Sequence, residues 1–222
     1  MYTGHVFTED LGRSIRMCNL LWTLHLFGRV TEVLPKWTMA GVVPPVRPNV
    51  EGHDPDRSPY QVGLDEVVEM FAITQERADI LSGLFDYREA LHNAGLVTGF
   101  QWLDGSFLEN IEDLEGRPPN DIDVVTFFEL PVGQTQTSLL PLTADLFDPD
   151  QTKQNFSVDA YPFEIGSSLN ETAVRRTAYW YSMWSHRRDG VWKGFAQIDL
   201  SPANDLLGRN RLAQKVAAGF GP

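Results

Sequence analysis

Apolar positions in the first third of the chain recur at helical intervals. Ile15, Leu20, Leu21, Leu24 and Phe27 form one broad stripe, which predicts a helix over about 13–33. Pro44, Pro45, Pro48, Pro55 and Pro59 then forbid a helix over 41–63. An extended wrap of that length packs on the surface or serves a function. Helical spacing returns at Leu64 with Val67, Val68 and Phe71. Thr74 stands where an N-cap belongs, and Ile80, Leu81, Leu84 and Leu91 supply the apolar face of the helix that follows. Gly95 is placed to close that helix as its C′ residue.

Beyond residue 95 the texture becomes that of strands. Short β-branched and aromatic runs predict strands over 97–103, 121–130, 156–165 and 192–200, with Pro162 either holding the third near an edge or limiting its length. An aromatic-rich helix is predicted over 172–185, where Trp180 and Trp184 share a face and read as core. Helices first, then strands separated by helices or loops, indicate an α+β fold with a small mixed sheet flanked by helices. The change of texture divides the chain into an N-terminal helical region with its proline-rich wrap, 1–95, and a sheet-bearing core with a C-terminal helix or tail, 96–222.

Composition changes this picture in two respects. A chain of 222 residues that is 42% hydrophobic can bury a core, and its one cysteine, Cys18, cannot form an internal disulfide. Cys18 falls on the predicted helix 13–33 and reads as buried and inert. The apolar run 20–27 is broken by His25 and flanked by Arg29, far from the roughly 20 apolar residues a membrane span requires. The expectation is a cytoplasmic protein with no membrane partner. The formal net charge of -12 disfavours a long nucleic acid duplex as well. That charge is uneven: residues 170–222 carry 8 basic and 4 acidic side chains, so the remainder holds -16. The basic excess is either a phosphate-contacting surface or a set of intramolecular ion pairs with the acidic part.

The candidate chemistry lies in two short segments. In a strand, Asp121 and Asp123 project from one side while Ile122 faces the other. Paired carboxylates at that spacing suit hard cations such as Mg²⁺, and Asp159 on a further predicted strand supplies a third. Three such groups converging would hold the two metal ions used for in-line displacement at phosphorus. Gly105-Ser106 follows one predicted strand and precedes a predicted helix, where the backbone can approach a phosphate closely. Lys193 stands at a strand edge, placed to bind a triphosphate. No His-x-x-x-His pair, P-loop or dinucleotide fingerprint is present.

Gly105-Ser106, a spacer of 14 residues, then Asp121-Ile122-Asp123 resembles the signature of the DNA polymerase β-like nucleotidyltransferase superfamily. Residues 41–200 also resemble a family of uncharacterised bacterial proteins, through Val43-Pro44-Pro45, Arg57-Ser58-Pro59-Tyr60, Gly99-Phe-Gln-Trp-Leu-Asp-Gly-Ser-Phe107, Asp121-Ile-Asp-Val-Val125 and Lys193-Gly194. The superfamily resemblance implies two Mg²⁺ (or Mn²⁺) ions and attack of an acceptor hydroxyl on the α-phosphate of a nucleoside triphosphate, with pyrophosphate leaving. It implies that Asp121 and Asp123 bind metal, that Asp159 completes the site and helps deprotonate the acceptor, and that Gly105 and Ser106 hold the β/γ phosphates. The acceptor it leaves open: a protein side chain, an RNA end or a small molecule. One departure is the acidic spacer, with Glu109, Glu112, Asp113 and Glu115, unexpected beside a triphosphate unless it faces solvent or a basic partner. The spacer and the proline-rich wrap support an alternative, a non-catalytic nucleotide sensor or antitoxin-like protein-interaction module on the same fold. A metal-dependent sugar transferase ranks last.

Overall fold

The computed structural model describes residues 33–166 and 170–220. The helix predicted over 13–33, with Cys18, lies outside them but for its last residue. Among the described residues, five strands form one mixed sheet in the order β1-β5-β2-β3-β4: β1 (Tyr60–Gln61), β2 (Gly99–Asp104), β3 (Ile122–Glu129), β4 (Val158–Ile165) and β5 (Ala196–Asp199). β2 runs antiparallel to both β3 and β5, whereas β3 pairs parallel with β4 and β1 with β5. The α+β class and the small mixed sheet are as the sequence pattern predicts.

Seven α-helices accompany the sheet among the described residues: α1 (Leu64–Phe71), α2 (Gln75–Asn93), α3 (Ile111–Glu115), α4 (Gln136–Thr143), α5 (Pro149–Phe156), α6 (Glu171–Trp184) and α7 (Asp205–Ala217). Thr74 does cap α2, its side chain accepting from the Arg77 amide, and Gly95 follows the helix with a φ of 86° that a side chain disfavours. A parallel pair requires a crossover, and α4 and α5 lie in the one that joins β3 to β4.

The two faces of the sheet are covered differently. On one, α2 brings Arg88 against Gln101, and Tyr87 against Phe156 of α5. α7 packs on α1 and α2, and Asp205 at its start pairs with the fully buried Arg88 at 2.7 Å. On the other face α6 lays Trp180 against Tyr161 and Trp184 against Phe195, continuing a row of rings through Trp102, Phe127 and Phe163. Both tryptophans are core residues. α1, α2, β1 and the sheet feed one contiguous hydrophobic core. The proline-rich segment is tied to the start of β5: Gly194 N–H donates to the Val43 carbonyl at 2.7 Å, and Tyr60 OH to Pro44 at 2.8 Å. Its two ends, 41–44 and 58–62, are packed, while most of 48–57 lies exposed between them.

Candidate functional site

Strand register gathers the carboxylates. The antiparallel pairing of β2 and β3 sets Asp104 opposite Asp123, and the parallel pairing of β3 and β4 sets Asp123 beside Asp159. Three aspartates thus form a row across three adjacent strands, at the end of the sheet face that α6 covers. Side chains directly opposite in such a row stand about 5 Å apart at Cβ. Asp121, two residues earlier, projects the same way. Burial, followed by the charges of Asp121 and Asp159, pushes the Asp123 carboxyl up to about 6. Asp104 is pushed up to about 7 by burial, against the opposing pull of Lys193. Burial raises Asp121 as well, with Lys153 opposing.

Gly105 turns the chain away directly after Asp104. Its φ is 86°, and a Cβ built there collides with Oδ2 of Asp123, so the position excludes a side chain on both counts. The helix predicted after Ser106 is instead a 3₁₀ turn, Ser106–Leu108, followed by the five-residue α3. Arg77 braces this turn, its Nη1 and Nη2 donating at 2.6 Å to the carbonyls of Phe107 and Glu109 respectively.

The acidic spacer finds its partners within the protein. Glu112 takes a bidentate contact from Arg77 at 2.6 and 2.8 Å, Glu115 pairs with Arg117 at 2.8 Å, and Asp113 accepts from the Asn110 amide at 2.7 Å. Glu109 is buried against Lys193 at 2.8 Å. The loop therefore presents far less negative charge to the pocket than its composition suggests.

Lys193 lies on the pocket wall but is only 5% exposed. Its ammonium group stands 3.1 Å from Asp104 Oδ1 and 2.8 Å from Glu109 Oε1. Burial works against its charge, and the two carboxylates outweigh burial, so its pKa is raised. The geometry makes Lys193 the centre of a buried ion cluster behind Gly105, with its charge already spent on Asp104 and Glu109. The cation that reaches Asp159 and Asp121 is Lys153, near the end of α5, at 2.6 Å from Asp159 Oδ2 and 3.7 Å from Asp121 Oδ2. Lys153 was not singled out from sequence because α5 itself was not anticipated. Asp148-Pro149, an N-cap followed by proline at N1, was the available signal.

The pocket in front of this row encloses about 640 Å³. Asp121, Asp123, Asp159, Gly105 and Ser106 all line it, and His186, Arg187 and Arg188 face them from the segment after α6. Every candidate residue from the sequence reaches this one pocket.

The donor set suits a hard divalent cation, being made of carboxylate oxygens. Asp159 Oδ1 is buried without a hydrogen-bond partner, and a cation, the Lys153 ammonium, already stands between Asp159 and Asp121. As the side chains stand, no group of three His, Cys, Asp or Glu among the described residues is arranged to hold a metal ion.

A family model matches residues 35–199, a span that takes in the whole carboxylate row, the Gly105 turn, Lys153 and Lys193. The chain belongs to the family of unknown function DUF6932. No curated protein and no solved structure matches it. α7, with the Asp205 partner of Arg88, lies beyond the DUF6932 span. No helix among the described residues is long and apolar enough to cross a membrane.

Proposed function

We propose that this DUF6932 member is a metal-dependent nucleotidyltransferase, moving a nucleoside monophosphate from a triphosphate onto an acceptor hydroxyl. The observation that carries the reading is the Gly105 turn packed against Asp123, with Asp123 in register with Asp159. It places a side-chain-free backbone, suited to a phosphate, against a cluster of hard oxygen donors. Asp121, Asp123 and Asp159 would hold Mg²⁺ or Mn²⁺. Bound there, the ions would neutralise charge on the phosphoryl oxygens.

The chain's own groups divide the remaining work. Gly105 and Ser106 bind the β/γ phosphates, and Lys193 acts as a positioning residue that holds Asp104 and Glu109 behind them. Asp159 Oδ1, which lacks a hydrogen-bond partner, receives the acceptor's proton. The acceptor oxygen forms a bond to the α-phosphorus, the bond from that phosphorus to the bridging oxygen breaks, and pyrophosphate departs. The acceptor is a protein side chain, an RNA end or a small molecule.

Incubation with α-labelled triphosphates, Mg²⁺ or Mn²⁺ and cell lysate tests this reading. Label transfer that Asp121→Ala abolishes supports it, and transfer equal in the two proteins counts against it. The Lys153–Asp159 ion pair favours a second reading, a nucleotide sensor whose carboxylates are partly neutralised. Triphosphate binding by calorimetry without label transfer would select that one.

A further inference from the structure

We infer that Lys153 is the resident cation of the carboxylate site, and that a divalent ion enters by displacing its ammonium group into the phosphate side of the pocket. The inference rests on the metal-site reading above and adds an order of binding to it: divalent ion first, polyphosphate second.

Geometry supports the displacement. The Lys153 carbonyl accepts from the Ser157 amide at 3.0 Å, which fixes the backbone at the end of α5. The side chain, by contrast, is 43% exposed and reaches the aspartates along its flexible stem. Such a group can swing away without moving the helix. Lys193 cannot substitute for it, because Lys193 is buried and committed to Asp104 and Glu109.

Electrostatics gives the sequence of events. Asp121, Asp123 and Asp159 crowd one another, and a single ammonium charge offsets that repulsion only in part. A dication at the same oxygens interacts about twice as strongly at equal distance. Once displaced, the ammonium remains a pocket-lining cation and loses its carboxylate partner at the moment a phosphate needs one. One residue therefore opposes metal binding and assists anion binding.

The two effects have opposite signs, and no merely structural role of Lys153 predicts that. Mn²⁺ affinity is measured by titration calorimetry on the full chain, followed by titration of a non-hydrolysable triphosphate into Mn²⁺-saturated protein. The expected result is that Lys153→Met binds Mn²⁺ roughly 2- to 5-fold more tightly than wild type, the range for loss of a partly exposed ion pair. The same variant then binds the triphosphate more weakly, while Lys153→Arg stays near wild type on both counts. Lys153→Gln serves as the neutral variant if the methionine form does not fold. Asp121→Asn reports on the metal site itself. If it loses Mn²⁺ while Lys153→Met or Lys153→Gln binds Mn²⁺ no better than wild type, the lysine inference is overturned and the metal site stands. Absence of Mn²⁺ binding in wild type and every variant overturns both.

Discussion

The carboxylate of Asp123 occupies the space that a side chain on residue 105 would need. Gly105→Ala must therefore push Asp123 out of the row while also straining a φ of 86°. The substitution is expected to cost about 1–3 kcal/mol of stability, from strain and overpacking together. It should also remove most label transfer. Denaturant unfolding and the transfer assay check the pair, and an active, undiminished Gly105→Ala would show that Asp123 is not held where the reaction requires it.

Lys193 pairs with both Asp104 and Glu109, and Glu109 also meets Arg187 at 3.7 Å. Lys193→Met is expected to destabilise by about 3–5 kcal/mol, because it strands carboxylates away from water. Adding Asp104→Asn and Glu109→Gln should recover much of that loss. If instead the single variant unfolds as wild type does, Lys193 is free to serve a ligand and its proposed positioning role fails.

Glu112 yields a pH dependence. Burial works to raise its pKa, but the hydrogen bonds and charge of Arg77 prevail, and it lies below the ordinary 4.5. A carboxylate with a depressed folded-state pKa stabilises above its unfolded value and loses that contribution as pH falls through the folded one. Wild type should therefore exceed Glu112→Gln in stability at neutral pH, with the gap closing as pH drops below 4.5. Paired thermal melts across that range measure it. A gap that does not change with pH would mean the pair contributes packing alone.

Asp205 begins the helix that lies outside the family-matched span, yet it neutralises the fully buried Arg88. Asp205→Ala is expected to cost about 3 kcal/mol, since Arg88 keeps its neutral acceptors, Gln101 and two carbonyls, but loses its counter-charge. Chemical denaturation gives the answer. An effect below about 0.5 kcal/mol, the usual range for surface substitutions, would make α7 an appendage.

The strands were legible because their β-branched and aromatic runs are long: β3 has both faces buried and reads as a continuous apolar segment. α2 was legible from its cap and its face. β1, with two residues, has no period to detect. α4 contains Pro141, and α5 is mostly polar with one buried residue, Thr152, so neither carries the apolar stripe that betrays a helix. Of the pocket's carboxylates, Asp121 and Asp123 were legible by strand alternation, a local rule, and Asp159 as an acidic residue on a further predicted strand. Asp104 and Lys153 were missed because their roles arise from register and from a crossover helix, and Lys193 proved buried because its partners are Asp104 and Glu109, some 84 or more positions away along the chain.

The aspartate row spans the pairing of β2 with β3 and of β3 with β4, from the interior of the sheet to its edge strand. Buried interior strands such as β3 open to solvent only in the largest cooperative unit of a protein. Local fraying at a terminus or loop away from β4 would leave the carboxylates assembled, while any event that separates β3 from its neighbours would dissolve the hydrophobic core with them. Occupancy of this pocket should accordingly be coupled to global unfolding: a bound cation would slow hydrogen exchange at the most protected amides of the sheet rather than at the surrounding loops.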